Sequence, residues 1–415
     1  MNKKIYKNKY IFSLATKAII VLFAILNSVF INRYLGPSLK GEYAYILNII
    51  NLAVLFLNMG IYQSYPYYKR EKVEDIKDKY FNLFLFQFIL FIIISLVLSL
   101  IYSNAQYTII YTLIPLMVLV NQLNFITMIE NINLRNKISI VNQAFYTILL
   151  FLVFLFAEKN YIYIFVILYI KDIILIIMFI RRFNFKLRLK NLDFSLLTKS
   201  IKFGIFPMLT LLLITMNYKV DVIILEMFVD FEQLGYYTVG VGLANQIWVI
   251  PDAFKEVLFS KTASEDSISD IVLSIKTNLY ISFAIILSII LLGKPVISFL
   301  FGVEFLPSYE VTIILFIGII PMIFFKLIYT LFIAKGKQKE SFIILFISVL
   351  LNIIFNFIFI PKFGIIGAAL TSVMSYSLCG ISFLYIFMKG YNINIKDIIY
   401  LKAEEIQRLK FYRKK

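Results

Sequence analysis

The sequence predicts an all-α polytopic membrane protein with about twelve transmembrane helices in two six-helix lobes. Three observations support this prediction. Apolar residues make up 61% of the 415-residue chain and charged residues only 16%, with a mean hydropathy of +0.87. The apolar residues form about twelve runs, most of them long enough to cross a hydrocarbon layer of about 30 Å as a helix. Charged residues are confined to short segments between these runs, and basic residues concentrate in every second segment.

The predicted spans are apolar runs bounded by charged, Gly, Pro or Asn residues. In chain order they cover residues 11–31, 43–62, 80–102, 108–128, 139–156, 161–180, 201–228, 235–250, 278–301, 311–334, 342–360 and 365–388. The first run is long and has no small-residue cleavage site after it, so we expect a permanent helix rather than a signal peptide. Pro207 in the seventh run and Pro321 in the tenth each predict a kink or break.

These spans suggest four segments along the chain. Residues 1–182 would form an N-terminal six-helix lobe and residues 201–390 a C-terminal six-helix lobe, joined by a cytoplasmic linker at 183–200. Residues 391–415 are basic, with apolar residues at near-helical spacing, so we expect an amphipathic tail that lies on the inner membrane face.

The distribution of Lys and Arg predicts the orientation. If the N-terminus is cytoplasmic, the other cytoplasmic segments are also basic. The basic positions are Lys3, Lys4, Lys7 and Lys9; Lys69, Arg70, Lys72, Lys77 and Lys79; Arg135 and Lys137; several within 181–202; Lys255, Lys261 and Lys276; Lys335, Lys337 and Lys339; and several within 389–415. The opposite segments hold few, namely Arg33, Lys40, Lys159, Lys294 and Lys362. By the positive-inside rule both termini are cytoplasmic, and the net charge of +17 reports topology rather than nucleic-acid binding.

Several function classes are excluded by what the sequence lacks. The chain has no His, so imidazole cannot serve as a proton relay, metal ligand or general base. Its one cysteine, Cys379, excludes an intramolecular disulfide. No phosphate-binding Gly-x-x-x-x-Gly-Lys-Ser/Thr run is present, so we expect no ATP site, cofactor or metal, and energy from an ion gradient or from consumption of the cargo.

A short internal repeat suggests that the two lobes are related. Residues 33–43 read RYLGPSLKGEY and residues 227–237 read MFVDFEQLGYY. At this offset of 194 residues the coinciding pairs are Gly41 with Gly235, Tyr43 with Tyr237, and Asn27 with Asp221. Both segments lie at the outer end of the first helix of a lobe, which predicts parallel halves related by an axis along the membrane normal.

Three motifs resemble one known family. They are the run from Arg33 to Pro37 with Gly41 to Tyr43, the stretch from Asp221 to Tyr237 followed by Pro251 to Phe254, and the closing stretch from Asn352 to Ala369. Together they are similar to the polysaccharide repeat-unit flippases, the Wzx type within the multidrug, oligosaccharidyl-lipid and polysaccharide exporter superfamily. The similarity covers nearly the whole chain, and relatives with different cargo share each motif.

The resemblance implies two lobes around a central cavity that opens alternately to the two sides of a bacterial cytoplasmic membrane. The implied substrate is an undecaprenyl-pyrophosphate-linked oligosaccharide for O-antigen or capsule synthesis. A hydroxyl-rich, charged head group cannot cross hydrocarbon unaided, because each unpaired polar group costs several kcal/mol there. The expected partners are this substrate and membrane lipid, with a polysaccharide polymerase or glycosyltransferase as a weaker candidate for docking on the tail; nucleic acid is not expected.

Polar residues within the apolar runs are the candidate site residues, since ionisable groups at membrane depth are costly and usually face a cavity or a partner. The substrate-binding candidates are Lys17, Asn27, Arg33, Asn58, Asn217, Lys219, Asp221, Asn245, Gln246 and Lys326. The candidates for coupling to a proton or ion are Lys171, Asp172, Asp221 and Glu226.

The seventh run has two polar faces. Asn217 and Asp221 are four residues apart and share one helical face. Asp221 would line the cavity or close a salt bridge between the lobes. Lys219 and Glu226 share another face; Lys219 would bind an anion or extend to the outer interface, and Glu226 would be solvated at the outer end.

The remaining charges also have alternative interpretations. Arg33 would bind pyrophosphate or anchor the interface, and Lys17 would meet pyrophosphate on entry or extend to the inner rim. Lys326 would point inward from a kink at Pro321 or extend to the interface. Adjacent Lys171 and Asp172 point about 100° apart, so we expect each to pair with another helix rather than with its neighbour, unless they serve a coupling step.

Asn58, Asn245 and Gln246 would offer hydrogen bonds to sugar hydroxyls or to neighbouring helices. Tyrosines near the span ends predict an interfacial belt, namely Tyr62, Tyr65, Tyr67, Tyr68, Tyr236 and Tyr237.

Two other functions remain open at this point. A cation-coupled drug or toxin exporter of the same superfamily would need a more acidic cavity. A membrane glycosyltransferase or polysaccharide polymerase would need a large outer loop with catalytic residues, whereas every outer loop here is short. We therefore expect a transporter and not an enzyme.

Overall fold

The computed structural model describes residues 3–102, 104–188, 192–262, 268–401 and 405, and these residues form helices and connecting turns without a β-strand. The α-helices are α1 (Lys3–Leu57), α2 (Tyr65–Arg70), α3 (Ile76–Ile101), α4 (Ala105–Phe156), α5 (Tyr161–Arg182), α6 (Phe194–Leu225), α7 (Phe231–Gln246), α8 (Val249–Thr262), α9 (Ile268–Phe301), α10 (Ser308–Ala334), α11 (Gln338–Tyr391) and α12 (Ile395–Ile399). Short 3₁₀ helices cover Ile61–Ser64 and Val303–Phe305. The predicted all-α class is confirmed.

Three of the helices contain two predicted spans each. The break in α1 is at Gly36 (φ 68°) and that in α11 at Gly364 (φ 54°), both in the left-handed region that glycine adopts without strain. Pro37 follows the first break directly, so the chain restarts as a helix with a fixed φ. The break in α4 is at Asn131, which has an extended backbone (φ −156°, ψ 94°).

The remaining predicted spans correspond to separate helices. Eight described helices are long and apolar enough to cross a membrane, and they include α1, α4 and α11 with their two spans each. The predicted eighth span, residues 235–250, lies mainly in α7 and ends two residues into α8. These two helices are separated at Ile247 and Trp248, shortly before Pro251, and neither is among the eight. The structure is therefore consistent with the predicted twelve spans.

The chain divides into two compact units, Met1–Leu212 and Leu213–Lys415. The division falls inside α6, so one continuous helix contributes its first part to unit 1 and its last part to unit 2. The boundaries predicted at residues 182 and 201 remain predictions.

Unit 1 is built on α4, which packs against α1, α3 and α5. Its interior contains two hydrophobic clusters. The first includes Ile46, Ile50, Leu113 and Ile164, and the second includes Phe84, Leu123 and Phe179, all fully buried.

The first part of α6 is held tightly within unit 1. A Cβ atom added at Gly204 would lie 2.0 Å from the Gly60 carbonyl oxygen, so the two backbones are in direct contact. Close by, the Tyr80 hydroxyl lies 2.6 Å from the Ser64 hydroxyl and 2.9 Å from the Ser200 hydroxyl, and all three residues are buried. Since glycine lacks a side chain, it allows this approach of the α6 backbone.

Unit 2 is built on α10, which packs against α7, α8, α9 and α11. At the contact with α11, a Cβ atom at Gly380 would lie 1.9 Å from the Pro321 carbonyl oxygen. At the predicted inner end, Ile398 of α12 is fully buried, and the Tyr280 hydroxyl donates to the Ile399 carbonyl at 3.2 Å. Of the predicted tail, residues 402–404 and 406–415 lie outside the described residues.

Large apolar side chains are exposed on the outside of the helices. Leu100 is 85% exposed, Phe156 82% and Phe299 78%. A surface this rich in exposed apolar side chains is unfavourable in water, but it is compatible with the hydrocarbon interior of a membrane. The chain is therefore a multi-pass membrane protein.

Candidate functional site

Asp221 lies at the centre of a buried polar network in unit 2. Its side chain is 1% exposed, and it accepts hydrogen bonds from the Tyr237 hydroxyl of α7, from the Ser372 hydroxyl of α11 at 2.9 Å and from the Val222 amide at 2.8 Å. One turn earlier on α6, Asn217 accepts from the Ser375 hydroxyl. Hydroxyls and an amide thus satisfy the carboxylate, and no ion pair to it is found among the described residues.

This placement narrows the interpretation of Asp221. The sequence suggested a cavity-lining residue or a salt bridge between the lobes, but the carboxylate is enclosed within unit 2 and hydrogen-bonded to α7 and α11. Other buried polar atoms lack partners among the described residues, including Asn217 Nδ2, Asn352 Nδ2 and Asn356 Oδ1. The interior of unit 2 therefore has unused hydrogen-bonding capacity.

Two tyrosines expected in the interfacial belt have a different role. Tyr237 and Tyr65 are both fully buried, and their hydroxyls donate to Asp221 and Glu130 respectively. The belt interpretation is wrong for these two residues, because a carboxylate in each unit provides the partner that a buried hydroxyl needs.

Lys219 lies on the opposite side of α6 from this network. At about 100° per residue it is about 160° to 200° around the helix from Asn217 and Asp221. Its side chain is partly buried and has no hydrogen bond or ion pair within the described parts of the chain. Glu226, in the turn after α6, is also partly buried. The two polar faces expected for this helix are present, and they have different surroundings.

Lys326 of α10 forms an ion pair with Asp252 of α8. Its ammonium nitrogen lies 2.8 and 2.9 Å from the two carboxylate oxygens and 4.8 Å from the centre of the Trp248 ring. The Lys326 side chain is 9% exposed, whereas that of Asp252 is 47% exposed. Sequence reasoning did not assign Asp252 or Trp248 to the site; the nearby helix break before Pro251 was the available signal.

The other polar candidates of unit 2 lie at the end of α7. Asn245 is partly buried and Gln246 is exposed. Because α7 ends at Gln246, both residues lie next to the break between α7 and α8. Trp248, which lies in that break, packs beside Lys326.

In unit 1, the polar candidates of α1 and its end are distributed over different environments. Asn27 is 5% exposed, and both of its side-chain polar atoms lack partners among the described residues. Asn58 is buried and donates to the Val54 carbonyl at 2.8 Å, while Arg33 is exposed. Lys17 lies in α1, but its side chain is outside the described part of the structure.

The expectation that Lys171 and Asp172 do not pair with each other is wrong. The Lys171 ammonium lies 3.0 Å from Asp172 Oδ1 and 5.3 Å from the centre of the Tyr146 ring. The long lysine stem curls around the helix and overcomes the angle between adjacent residues. Asp172 is 2% exposed, so this pair is a second buried charge site, separate from Asp221.

An ion pair outside the spans was not found from the sequence. Glu130 accepts from the Lys69 ammonium at 2.7 Å and from the Tyr65 hydroxyl. Burial acts to raise the pKa of Glu130, but the hydrogen bonds from Lys69 and Tyr65 outweigh it and hold the pKa below its usual value. These residues, with Lys77, Asp78 and Lys186, line a cleft of about 490 Å³.

The described residues contain no group of three or more His, Cys, Asp or Glu side chains that could hold a metal ion. The acids described above have single cations or hydroxyls as neighbours. The arrangement is suited to binding and exchanging charges at membrane depth.

The family model described as "Polysaccharide biosynthesis protein" matches residues 7–254, more than half of the chain. The capsular polysaccharide biosynthesis protein CapF of Staphylococcus aureus is 31% identical over 111 residues, which cover 27% of this chain and 28% of CapF. The chain thus matches only about a quarter of the length of that curated relative.

Solved structures share the fold. A structure titled "Lipid II flippase MurJ, inward closed conformation" has a TM-score of 0.76 at 18% identity, covering 97% of this chain and 92% of that one. An inward-facing multidrug resistance MATE family transporter of the MOP superfamily has a TM-score of 0.68 at 14% identity, covering 92% of this chain and 98% of that one. The chain therefore belongs to the polysaccharide biosynthesis protein family and shares the fold of these solved membrane proteins.

Proposed function

We propose that the protein moves undecaprenyl-pyrophosphate-linked oligosaccharide repeat units across the bacterial cytoplasmic membrane by alternating access, for synthesis of a capsule or O-antigen. The family and the printed name of CapF support a polysaccharide pathway. The observation that carries the proposal is Lys219, a cation within a membrane-spanning helix that has no partner among the described residues.

The Lys219 ammonium needs a compensating charge. A lone ammonium at membrane depth is costly unless an anion or water compensates it. A pyrophosphate-linked glycan carries the complementary charge and would reach Lys219 on the face of α6 that points away from the Asp221 network. An organic cation would be repelled from the same position, which favours this substrate over that of a drug exporter.

The test is complementation of a gene deletion with Lys219→Glu, Lys219→Arg and, as a matched control, Lys362→Glu at an exposed lysine. In the deletion strain, lipid-linked oligosaccharide should accumulate on the cytoplasmic leaflet, protected from a hydrolase added outside. Wild type, Lys219→Arg and Lys362→Glu should restore surface polysaccharide, and Lys219→Glu should not.

Other outcomes would contradict the proposal. Normal surface polysaccharide with Lys219→Glu would argue against an anion-binding role. Accessible but unpolymerised repeats in the deletion strain would indicate a polymerase, and unchanged glycan with new drug sensitivity would indicate a cation exporter.

We also propose Asp221 as the coupling residue, with the Lys171–Asp172 pair as the second candidate. Support comes from the enclosure of both carboxylates and from the surroundings of Asp221, which consist of two hydroxyls and a backbone amide, since a carboxyl in such a site can exchange a proton or cation with the gradient. Transport into everted vesicles should lose its dependence on an imposed ion gradient in Asp221→Asn. If transport by Asp221→Asn still depends on the ion gradient and transport by Asp172→Asn does not, Asp172 of unit 1 is the coupling residue instead.

A further inference from the structure

The Lys326–Asp252 pair has unequal burial. Lys326 is 9% exposed, and Asp252 is 47% exposed. A buried ammonium needs a counter-charge, because an uncompensated charge in a low-dielectric interior is strongly unfavourable. Asp252 supplies that charge from a position that solvent or another solute can reach. The carboxylate can therefore be replaced without opening the interior around Lys326.

Unused hydrogen-bond donors lie beside the pair. The Trp248 ring packs against Tyr218 at 4.4 Å between ring centres and against Lys326 at 4.8 Å. Trp248 Nε1 and the Tyr218 hydroxyl are both buried without a partner among the described residues. Buried hydrogen-bond donors normally have acceptors. Lys326, Trp248 and Tyr218 together could therefore donate to more acceptor atoms than the two carboxylate oxygens of Asp252.

The backbone beside Asp252 is interrupted, which would allow its carboxylate to move away from Lys326. Asp252 lies in the first turn of α8, directly after the interruption at Ile247 and Trp248 that separates α7 from α8. Interrupted helices in transporters commonly surround binding sites. A small movement of α8 would change the position of Asp252, while Lys326 on α10 stays within the buried core of unit 2.

We propose that Asp252 is an exchangeable counter-ion, and that a pyrophosphate group displaces it from Lys326 and also accepts hydrogen bonds from Trp248 and Tyr218. Resting on the proposed function, this inference adds a second anion position to Lys219. No covalent step is involved, because one anion replaces another at the ammonium.

The single tryptophan of the chain gives a direct readout. Trp248 is the only Trp in 415 residues, so the emission of the intact protein reports this position alone. Purified full-length protein in lipid nanodiscs would be titrated with inorganic pyrophosphate and, separately, with a polyprenyl pyrophosphate in the bilayer. Sulfate at equal ionic strength serves as the anion control. The tighter of the two pyrophosphate probes identifies whether the group is recognised free or lipid-linked.

The variants separate exchange from a static ion pair. Asp252→Asn removes the competing charge and should bind pyrophosphate about tenfold more tightly, in line with the coupling energy of a close charge pair. Asp252→Glu keeps the charge and should resemble wild type, and Lys326→Gln should lose the response. Lys294→Ala, which removes a cation 5.4 Å from a different ring, should not alter the titration.

Unchanged or weaker binding in Asp252→Asn would overturn the exchange. If that variant fails to fold, the double variant Asp252→Asn with Lys326→Gln removes both charges together, and retained pyrophosphate binding there would equally overturn it. Failure of the proposed function gives a different result from failure of the exchange. If only the proposed function is wrong, wild-type Trp248 responds to pyrophosphate, but the deletion strain accumulates no oligosaccharide on the inner leaflet. An absent response with normal complementation by wild type would reject only the exchange.

Discussion

Residues two positions apart on α6 have opposite surroundings. Asp221 is 1% exposed and accepts three hydrogen bonds, whereas Lys219 is partly buried and has no partner in the described structure. The same contrast separates Lys326, which is paired, from Lys219. An intramembrane charge is therefore interpreted from its own contacts and not from its depth alone.

Glu130 gives a residue-scale prediction of pH dependence. Its pKa in the folded state is depressed, so its contribution to stability is present above the usual carboxyl pKa and is lost as pH falls through the lowered value. Glu130→Gln should lower the free energy of unfolding at pH 7 by about 1 kcal/mol. This is the contribution of a hydrogen-bonded ion pair, reduced because the pair is partly exposed to solvent. Thermal unfolding in nanodiscs should show this difference shrinking only below the usual carboxyl pKa of about 4.3, so that it is smaller at about pH 3 than at pH 7.

Glu74→Gln is the matched control, since Glu74 is an exposed glutamate in the turn between α2 and α3. It should leave the unfolding temperature unchanged at both pH values. An equal effect of Glu130→Gln at pH 7 and at about pH 3 would contradict the assignment.

At the element scale, breaks and close contacts shape the helices. Gly36, Asn131 and Gly364 divide three long helices, and Gly204 and Gly380 allow backbones to touch. The resemblance motifs contained Gly36 and Gly364, but no periodicity marked Gly204, because its requirement comes from a segment about 144 residues away in the chain.

Glycine substitution tests the α6 contact. A Cβ at Gly204 would meet the Gly60 backbone, whereas one at Gly242 of α7 would meet nothing within 4 Å. We expect Gly204→Ala to destabilise the protein by about 1 to 3 kcal/mol through overpacking. Gly242→Ala should be neutral or stabilising by up to about 1 kcal/mol.

Thermal unfolding of both variants in the same nanodiscs provides the comparison. Equal unfolding temperatures for Gly204→Ala and Gly242→Ala would show that the α6 backbone can move away from Gly60 at negligible cost.

At the scale of the whole molecule, the charge pattern predicts topology. An even number of spans with cytoplasmic termini puts Lys159 outside and Lys339 inside. Both residues are exposed, and the native Cys379 is fully buried. Single cysteines at these positions can therefore be labelled against a silent background.

We expect Lys159→Cys to react with a membrane-impermeant maleimide in intact cells, and Lys339→Cys to react only after permeabilisation. Wild-type protein should remain unlabelled in both conditions. Labelling of Lys339→Cys in intact cells would reverse the orientation.

The sequence by itself determined the class, the spans and the family. Long apolar runs have only one stable form in lipid, so the helices and their number follow from composition and the placement of breaks. It also identified Lys219 and Asp221 on separate faces, because helical periodicity is local.

Only the tertiary structure decided which partners these residues have. Tyr237 and Ser372 enclose Asp221, Asp252 compensates Lys326, and Lys171 turns back onto Asp172. Partners such as Ser372 lie 151 residues away in the chain. Such pairings depend on helix packing, which in lipid is set by close contacts of small residues and by hydrogen bonds rather than by a hydrophobic pattern visible in the sequence.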